Sequence, residues 1–328
     1  MTVQRPDQAT VTALVSASTT APSLHNTQPW RFRYFTASHT VELRGDAERT
    51  VPRLDPDRRS LHLGCGAALF ALRVAAAHAG WTTDVRPLPD PGDPHFLAAV
   101  RLGRGGPPDA ALARLYEAIP RRHTSRYPFD DRPVPEEVRA GLQQAAAQEG
   151  AALVFPHAWH VAALLDHVRD AEGRDLHDPQ RVADVRRWMR IGAEAEGSTD
   201  GIPDVAFGPR RSGGRAPVRD FAGRESVPDR PTAVFESVPH LALLGTTDDR
   251  PADWLRAGQA LERVLLLATL HGLATSLTSH SLERRDLREL ARDPGSAMGF
   301  VHMVLRLGYG RPGPATPRRP VAEVLEVL

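Results

Sequence analysis

Three short runs of the chain gather side chains suited to chemistry. The first is Ala21-Pro22-Ser23-Leu24-His25-Asn26-Thr27-Gln28-Pro29-Trp30. Its prolines fix the backbone, and the short polar side chains between them offer donors and acceptors from a stiff loop. That inventory suits a planar heterocycle with ring nitrogens and carbonyls. An ordinary helix-to-strand connection is the alternative, and for Trp30 alone a core position is the plainer reading. The second run is Arg121-Arg122-His123-Thr124-Ser125-Arg126. Guanidinium forks and hydroxyls match phosphate oxygens, so it reads as a phosphate cradle or as a solvated basic turn. The third is Arg318-Arg319-Pro320, after the Gly308-Tyr309-Gly310 loop; alone, such a pair is usually solvated.

Other signatures fail. Gly103-Arg104-Gly105-Gly106 is followed by Pro107-Pro108, not by a helix opening on a third glycine, so the dinucleotide-loop geometry is missing. His157, His160 and His167 lack an acidic partner at metalloprotease spacing, and no metal site is expected. Walker and nucleophile-elbow patterns are absent.

These runs need a scaffold. The length of 328 residues fits two domains or one large one, at roughly 150 residues each. Hydrophobic residues at 41% and charged residues at 25% are globular proportions. The 41 basic residues balance 40 acidic ones, which argues against a nucleic-acid-coating protein. All 41 are arginine. Every fixed cation is therefore a planar guanidinium, and Schiff-base lysine chemistry is excluded. Cys65 is the single cysteine, leaving no intrachain disulfide and no cysteine zinc site. The first residues lack a signal-peptide pattern, and no apolar run is expected to reach the ~18 residues that span a bilayer. A cytoplasmic setting without a membrane partner is the expectation.

Periodicity predicts helices over 60–79, 135–148 and 252–271, the first and last stopping at Gly80 and Gly272. Residues 30–35, 240–246 and 300–307 read as strands, which together imply an α+β or α/β fold. A shift of 192 positions superposes Gly66, Ala68, Leu69, Ala76 and Gly80 on Gly258, Ala260, Leu261, Ala268 and Gly272. An Arg-Leu-Gly strand end follows in each unit, at Arg101 and at Arg306. Two tandem half-units, 1–110 and 111–328, are expected to form an internal pseudo-dimer, doing within one chain what two subunits do elsewhere, either as a monomer or with further homo-dimerisation. The Gly/Pro/Arg-rich stretch 197–231 is read as a lid.

The three runs together resemble the nitroreductase family of FMN-binding flavoproteins. APSLHNTQPW is similar to its PSxxNxQPW segment. RRHTSRYPFDDRPVPEEV resembles its Arg/Ser opening, and TPRRPVAEVL its ending. The tandem layout looks most like the actinobacterial Acg-type branch. The resemblance implies an α+β nitroreductase-like fold and FMN-mediated, NAD(P)H-driven reduction of a small organic acceptor. It implies that Arg122, Thr124 and Arg126, with Arg318 or Arg319, hold the FMN phosphate. Pro22, Ser23, Asn26 and Gln28 would meet the ring or ribityl chain, and Asp200-Gly201 would stand near the reactive flavin nitrogen. The first half has the PSxxNxQPW run without an Arg opening, and the second half has the reverse. One FMN per chain and one degenerate site are therefore expected. A protein that stores FMN with little turnover, or one that has lost flavin, is the competing reading.

Overall fold

The computed structural model describes residues 5–104, 106, 107, 109–223 and 225–328. Gly105 and Pro108 of the glycine–proline run, and Arg224 within 197–231, lie outside the described residues. The first unit runs α1 (Gln8–Ser18), β1 (Trp30–Phe35), β2 (Thr40–Gly45), α2 (Arg59–His78), β3 (Thr82–Pro87) and β4 (Phe96–Gly103). A short α3 (Ala110–Arg114) leads onward. The second unit opens with α4 (Glu136–Gln148) and β5 (Ala152–Val154). An insertion follows: α5 (Ala158–Asp175), α6 (Pro179–Arg187), β6 (Met189–Arg190), β7 (Ile202–Pro203), β8 (Arg210–Gly213) and β9 (Thr232–Val234). The unit resumes with β10 (Leu241–Thr246), α7 (Pro251–Leu270), β11 (Ala274–Thr278), α8 (Arg285–Leu290) and β12 (Phe300–Gly308). It ends in α9 (Val321–Val324) and β13 (Leu325–Val327).

The two units share one plan. The sheets run β1-β2-β4-β3 and β5-β10-β12-β11, so corresponding strands occupy corresponding places. A bulge interrupts β2 between Leu43 and Arg44 and β10 between Leu244 and Gly245, the same strand position in each. Helices α2 and α7 have 20 residues each and start 192 positions apart. Each closes the same way: the Trp81 amide donates to the Ala76 carbonyl and the Leu273 amide to Ala268, across left-handed Gly80 and Gly272. Strand β13 breaks the symmetry. It leaves the second unit and pairs parallel to β1 of the first.

α2 and α7 cross at the matched glycines. A Cβ on Gly66 would stand 2.9 Å from the Gly258 Cα and collide with the Leu255 carbonyl oxygen; one on Gly258 would collide with that of Leu63. The backbones touch because neither residue has a side chain. Seventeen residues of α2 are buried, because α7 covers one side and the first sheet another. This corrects the expectation that no apolar run is long enough to span a bilayer. Arg59–His78 is, by length and composition, yet 89% of its apolar window is buried in the protein, as in a core helix.

Gly258→Ala is expected to lower stability by about 3 kcal/mol through overpacking at a backbone–backbone contact. Thermal unfolding followed by circular dichroism measures it; a melting point equal to wild type would show that the crossing can relax.

Candidate functional site

A cleft opens beside the α2–α7 crossing. It holds about 1090 Å³ of space between side chains, its open mouth included. Both units wall it, α2 from the first and β11, β12 and the 121–126 turn from the second.

The loop after α1 forms one wall. His25, Asn26 and Gln28 have φ of 50°, 56° and 50°, the left-handed region that non-glycine residues visit at a cost. Side chains from three distant segments hold it there. Asn26 Nδ2 donates to the Gly201 carbonyl at 2.8 Å and that of Pro317 at 3.0 Å, and its Oδ1 accepts from Arg318 at 3.1 Å. Gln28 Nε2 donates to Thr199 at 2.9 Å, and its Oε1 accepts from the Arg319 amide at 2.9 Å. Ser23 Oγ accepts from the Gln28 amide.

The second wall is the 121–126 turn. The Ser125 amide donates to the Thr275 carbonyl of β11 at 2.8 Å, and Ser125 Oγ to the Arg311 carbonyl at 2.7 Å. Gly313 lets the tail lie against the Thr124 carbonyl, which a Cβ would strike. Below, Arg306 is fully buried, paired with Glu236 and stacked 3.6 Å from the Phe129 centroid.

Cations collect where these walls meet. Arg122 and Arg318 both donate to the Thr20 carbonyl, at 3.0 and 2.8 Å. Burial, then the neighbouring Arg122, pushes the Arg318 pKa down from its ordinary value. Glu262 of α7 is fully buried, 3.6 Å from Arg122 Nε. Burial raises its pKa against the pull of Arg122 and Arg318. Both Glu262 oxygens, Arg122 Nε and Arg318 Nε lack hydrogen bonds. Two buried guanidiniums thus stand near one buried carboxylate.

The insertion covers the cleft. Within 197–231, Phe207, Phe221 and Ala222 pack with Met189 and Ile202 into a small core. Phe221 lies 4.8 Å from the Arg126 guanidinium and edge-on to His25 at 5.3 Å. Arg126 donates to the Ala206 carbonyl at 2.8 Å. Burial and then Arg219 lower its pKa to about 10.

Seven of the ten residues expected at the site line this cleft: Pro22, Ser23, Asn26, Arg122, Thr124, Arg126 and Arg318. The other three stand apart from this lining. Gln28 is wholly buried behind the wall as a clamp. Arg319 turns away to the Gln28 carbonyl and Glu323. Gly201 spends its amide and carbonyl on Asn26, and the neighbouring Asp200 is locked between Arg49 and Arg190. Its carboxyl pKa falls below the usual value because those hydrogen bonds outweigh burial. Sequence reading missed Arg59, Arg219, His25, His280 and Glu262. Only Glu262 carried a local signal, a lone acid inside the apolar run of α7.

A helix-and-sheet pseudo-dimer with one positively charged cleft between its halves is the class that this fold and site define. The chain belongs to the nitroreductase family, whose sequence model matches residues 119–309. It is 36% identical to the Mycobacterium tuberculosis protein named "Putative NAD(P)H nitroreductase Rv3131", over 99% of this chain and 94% of that one. It is 31% identical to the same organism's "Putative NAD(P)H nitroreductase acg", over 97% and 95%. Among solved structures, the Bacteroides fragilis nitroreductase with bound FMN superposes with a TM-score of 0.36 at 14% identity, covering 60% of this chain and 88% of that one.

His25, His280 and His302 are buried, and burial is the first cause that lowers all three pKa values, that of His302 to about 3. Unfolded, each titrates near 6.5. A depressed folded pKa means that the unfolded chain takes up protons first, so stability present above about pH 6.5 is lost as pH falls through that value. Unfolding free energies from urea titrations between pH 7.5 and 5 are expected to fall below about pH 6.5, by up to about 1.4 kcal/mol per pH unit for each histidine still neutral in the fold. A flat profile would contradict their neutral burial.

Proposed function

We propose that the chain is an FMN-dependent oxidoreductase that reduces a small organic acceptor with electrons from NAD(P)H, one FMN lying between the halves 1–110 and 111–328. The convergence of Arg122, Thr124, Arg126 and Arg318 on one cleft lining carries this reading, because guanidiniums and a hydroxyl match the oxygens of an anion. The donor set fits the cofactor: guanidiniums and the Thr124 hydroxyl for the phosphate, and the polar Ser23–Asn26 wall for a heterocycle edge. The NAD(P)H nitroreductase names of the relatives support the nicotinamide donor.

When bound, FMN supplies the two-electron transfer from nicotinamide to acceptor. Arg122, Arg126 and Arg318 hold the phosphate by charge and fork geometry. Asn26, tied to Gly201 and Pro317, keeps the loop wall at a fixed distance from that cradle. Glu262 offsets part of the positive charge below it. Val218, Phe221, Leu277 and Met303 keep water from the rest of the cleft.

A second reading has a specific support. Arg219 in the covering segment donates to His25 at 2.8 Å and to Glu283 at 2.7 Å, which latches the cover over the cleft. A protein closed in this way would hold FMN and turn it over slowly.

Freshly purified protein is expected to be yellow and to bleach when NADH or NADPH is added without oxygen. Bound flavin that does not bleach favours the holding role. A colourless protein that takes up no added FMN refutes both. Arg122→Ala combined with Arg126→Ala is expected to weaken FMN retention at least tenfold, measured as flavin content after dialysis. Asn26→Ala should shift the flavin spectrum more than the melting point.

A further inference from the structure

Glu262 of α7 is fully buried, and neither of its oxygens has a hydrogen bond. Other buried acids of this fold are bonded. Glu236 accepts from Arg306 and the Phe129 amide, Glu283 from Arg219 and Ser279, and Asp55 from the amides of Ser60 and Leu61. Glu262 has two guanidiniums nearby instead. Arg122 Nε stands 3.6 Å away, too far for a hydrogen bond, and Arg318 acts on the acid through space. Both arginines are anchored elsewhere, on the Thr20 carbonyl. A carboxylate buried without hydrogen bonds is costly as an anion, and only its attraction to those two cations favours the charge. Burial raises its pKa against their pull.

Arg122 and Arg318 also line the cleft with Thr124 and Arg126, whereas the Glu262 oxygens are closed off from solvent. The acid therefore shares its cations with an anion that enters the cleft, without touching it. A phosphate dianion carries twice the charge of a carboxylate, and its oxygens match the guanidinium forks and the Thr124 hydroxyl. In the empty cleft Glu262 offsets part of the positive charge. In the loaded cleft the phosphate does so, and Glu262 is left facing a second anion across the same two cations. His123, half-buried on the same turn, is the other acid–base group here. Its pKa is lowered by burial first and then by Arg122 and Arg318. Burial lowers Arg318 to about 9, which leaves it a cation between pH 7 and 8.

We infer that Glu262 is protonated when a phosphate group enters this cradle, so that FMN binding takes up a proton and weakens as pH rises. The proton comes from solvent and adds to one Glu262 oxygen; no other covalent bond forms or breaks. The inference rests on the flavin reading of the cleft. It adds a pH control exerted by a residue that acts through Arg122 and Arg318 and never meets the ligand.

The test titrates the flavin-free full chain with FMN in a calorimeter at pH 7.5, in two buffers of different ionisation enthalpy, which counts the protons exchanged. About one proton taken up per FMN is expected, with Kd falling about tenfold from pH 8 to pH 7. The FMN phosphate, with a second pKa near 6, is mostly a dianion throughout. Glu262→Gln should bind FMN at pH 8 at least as tightly as wild type, exchange no proton and lose the pH slope. His123→Asn should keep both the uptake and the slope. No uptake by wild type, unchanged uptake in Glu262→Gln, or loss of uptake in His123→Asn would overturn the inference. So would a folded Glu262→Gln chain that binds FMN more weakly at pH 8, the result expected of an acid that merely sets Arg122 in place. If either variant does not fold, infrared difference spectra of the wild type decide: FMN binding must add a protonated-carboxyl C=O band, and its absence overturns the inference. Should the chain take up no FMN, the flavin reading fails, and phenyl phosphate replaces FMN in the same titration. Binding with proton uptake then sustains the role of Glu262; binding without uptake, or no binding, refutes it.

Discussion

Everything in this fold is referred to one contact, the meeting of Gly66 and Gly258 where α2 crosses α7. A helix pair normally stands 8–10 Å apart, with side chains between. Here two backbones come together without any. Beside the crossing, α2 and the loop before β1 face β11, β12 and the 121–126 turn across the cleft. The closeness also explains why α2 is apolar on nearly every side. Its Ala and Gly residues answer a demand for small volume from α7 on one side and from the sheet on the other.

That closeness forces polar groups into a dry setting. Arg122, Arg318 and Glu262 stand within a few ångströms of one another because α7 supplies the acid and two distant loops supply the bases. In water these charges would interact weakly. Buried, each is costly unless matched, and two guanidiniums with one carboxylate do not match themselves. The loop 23–28 shows the same economy of means. Its left-handed residues are unfavourable alone and persist because Asn26 and Gln28 are tied to residues 199–201 and 317–319. The cleft therefore exists only in the completed molecule, when the first loop, the insertion and the C-terminal tail have all arrived.

Much of this was legible in the residues. The helices expected over 60–79, 135–148 and 252–271 are found at Arg59–His78, Glu136–Gln148 and Pro251–Leu270. The 192-residue shift that matched Gly66 with Gly258 also matched the two residues that touch. Glycine is diagnostic there because only its missing side chain allows the approach. The site was legible where a motif carried consecutive polar residues, as at 22–26 and 122–126. It was illegible where function rests on single residues joined by the fold. Gln28 and Arg319 look like ligand contacts because they are polar beside residues that line the cleft. Backbone direction turns them inward, and nothing local announces it. His25 and His280 are 255 positions apart and meet only through the cover and the turn after β11.

The opposite face of the crossing is built differently. The repeat sets Phe70 where the second unit has Glu262. Around Phe70, Arg73 and Arg263 stack at 5.3 and 5.6 Å. Glu149, the residue that ends α4 as Thr19 ends α1, accepts from both arginines at 2.6 and 2.7 Å, and Gln259 takes another bond from Arg73. Residues 149–151 join α4 to β5 directly, whereas residues 19–29 form the wall of the cleft on the other side. On this face both guanidiniums hydrogen-bond their shared carboxylate directly and the loop that would shape a pocket is missing, so the network closes on itself. On the other face the same helices leave Glu262, Arg122 and Arg318 short of partners. The two matched positions thus differ in hydrogen bonding: at one the charged groups bond one another directly, and at the other they do not.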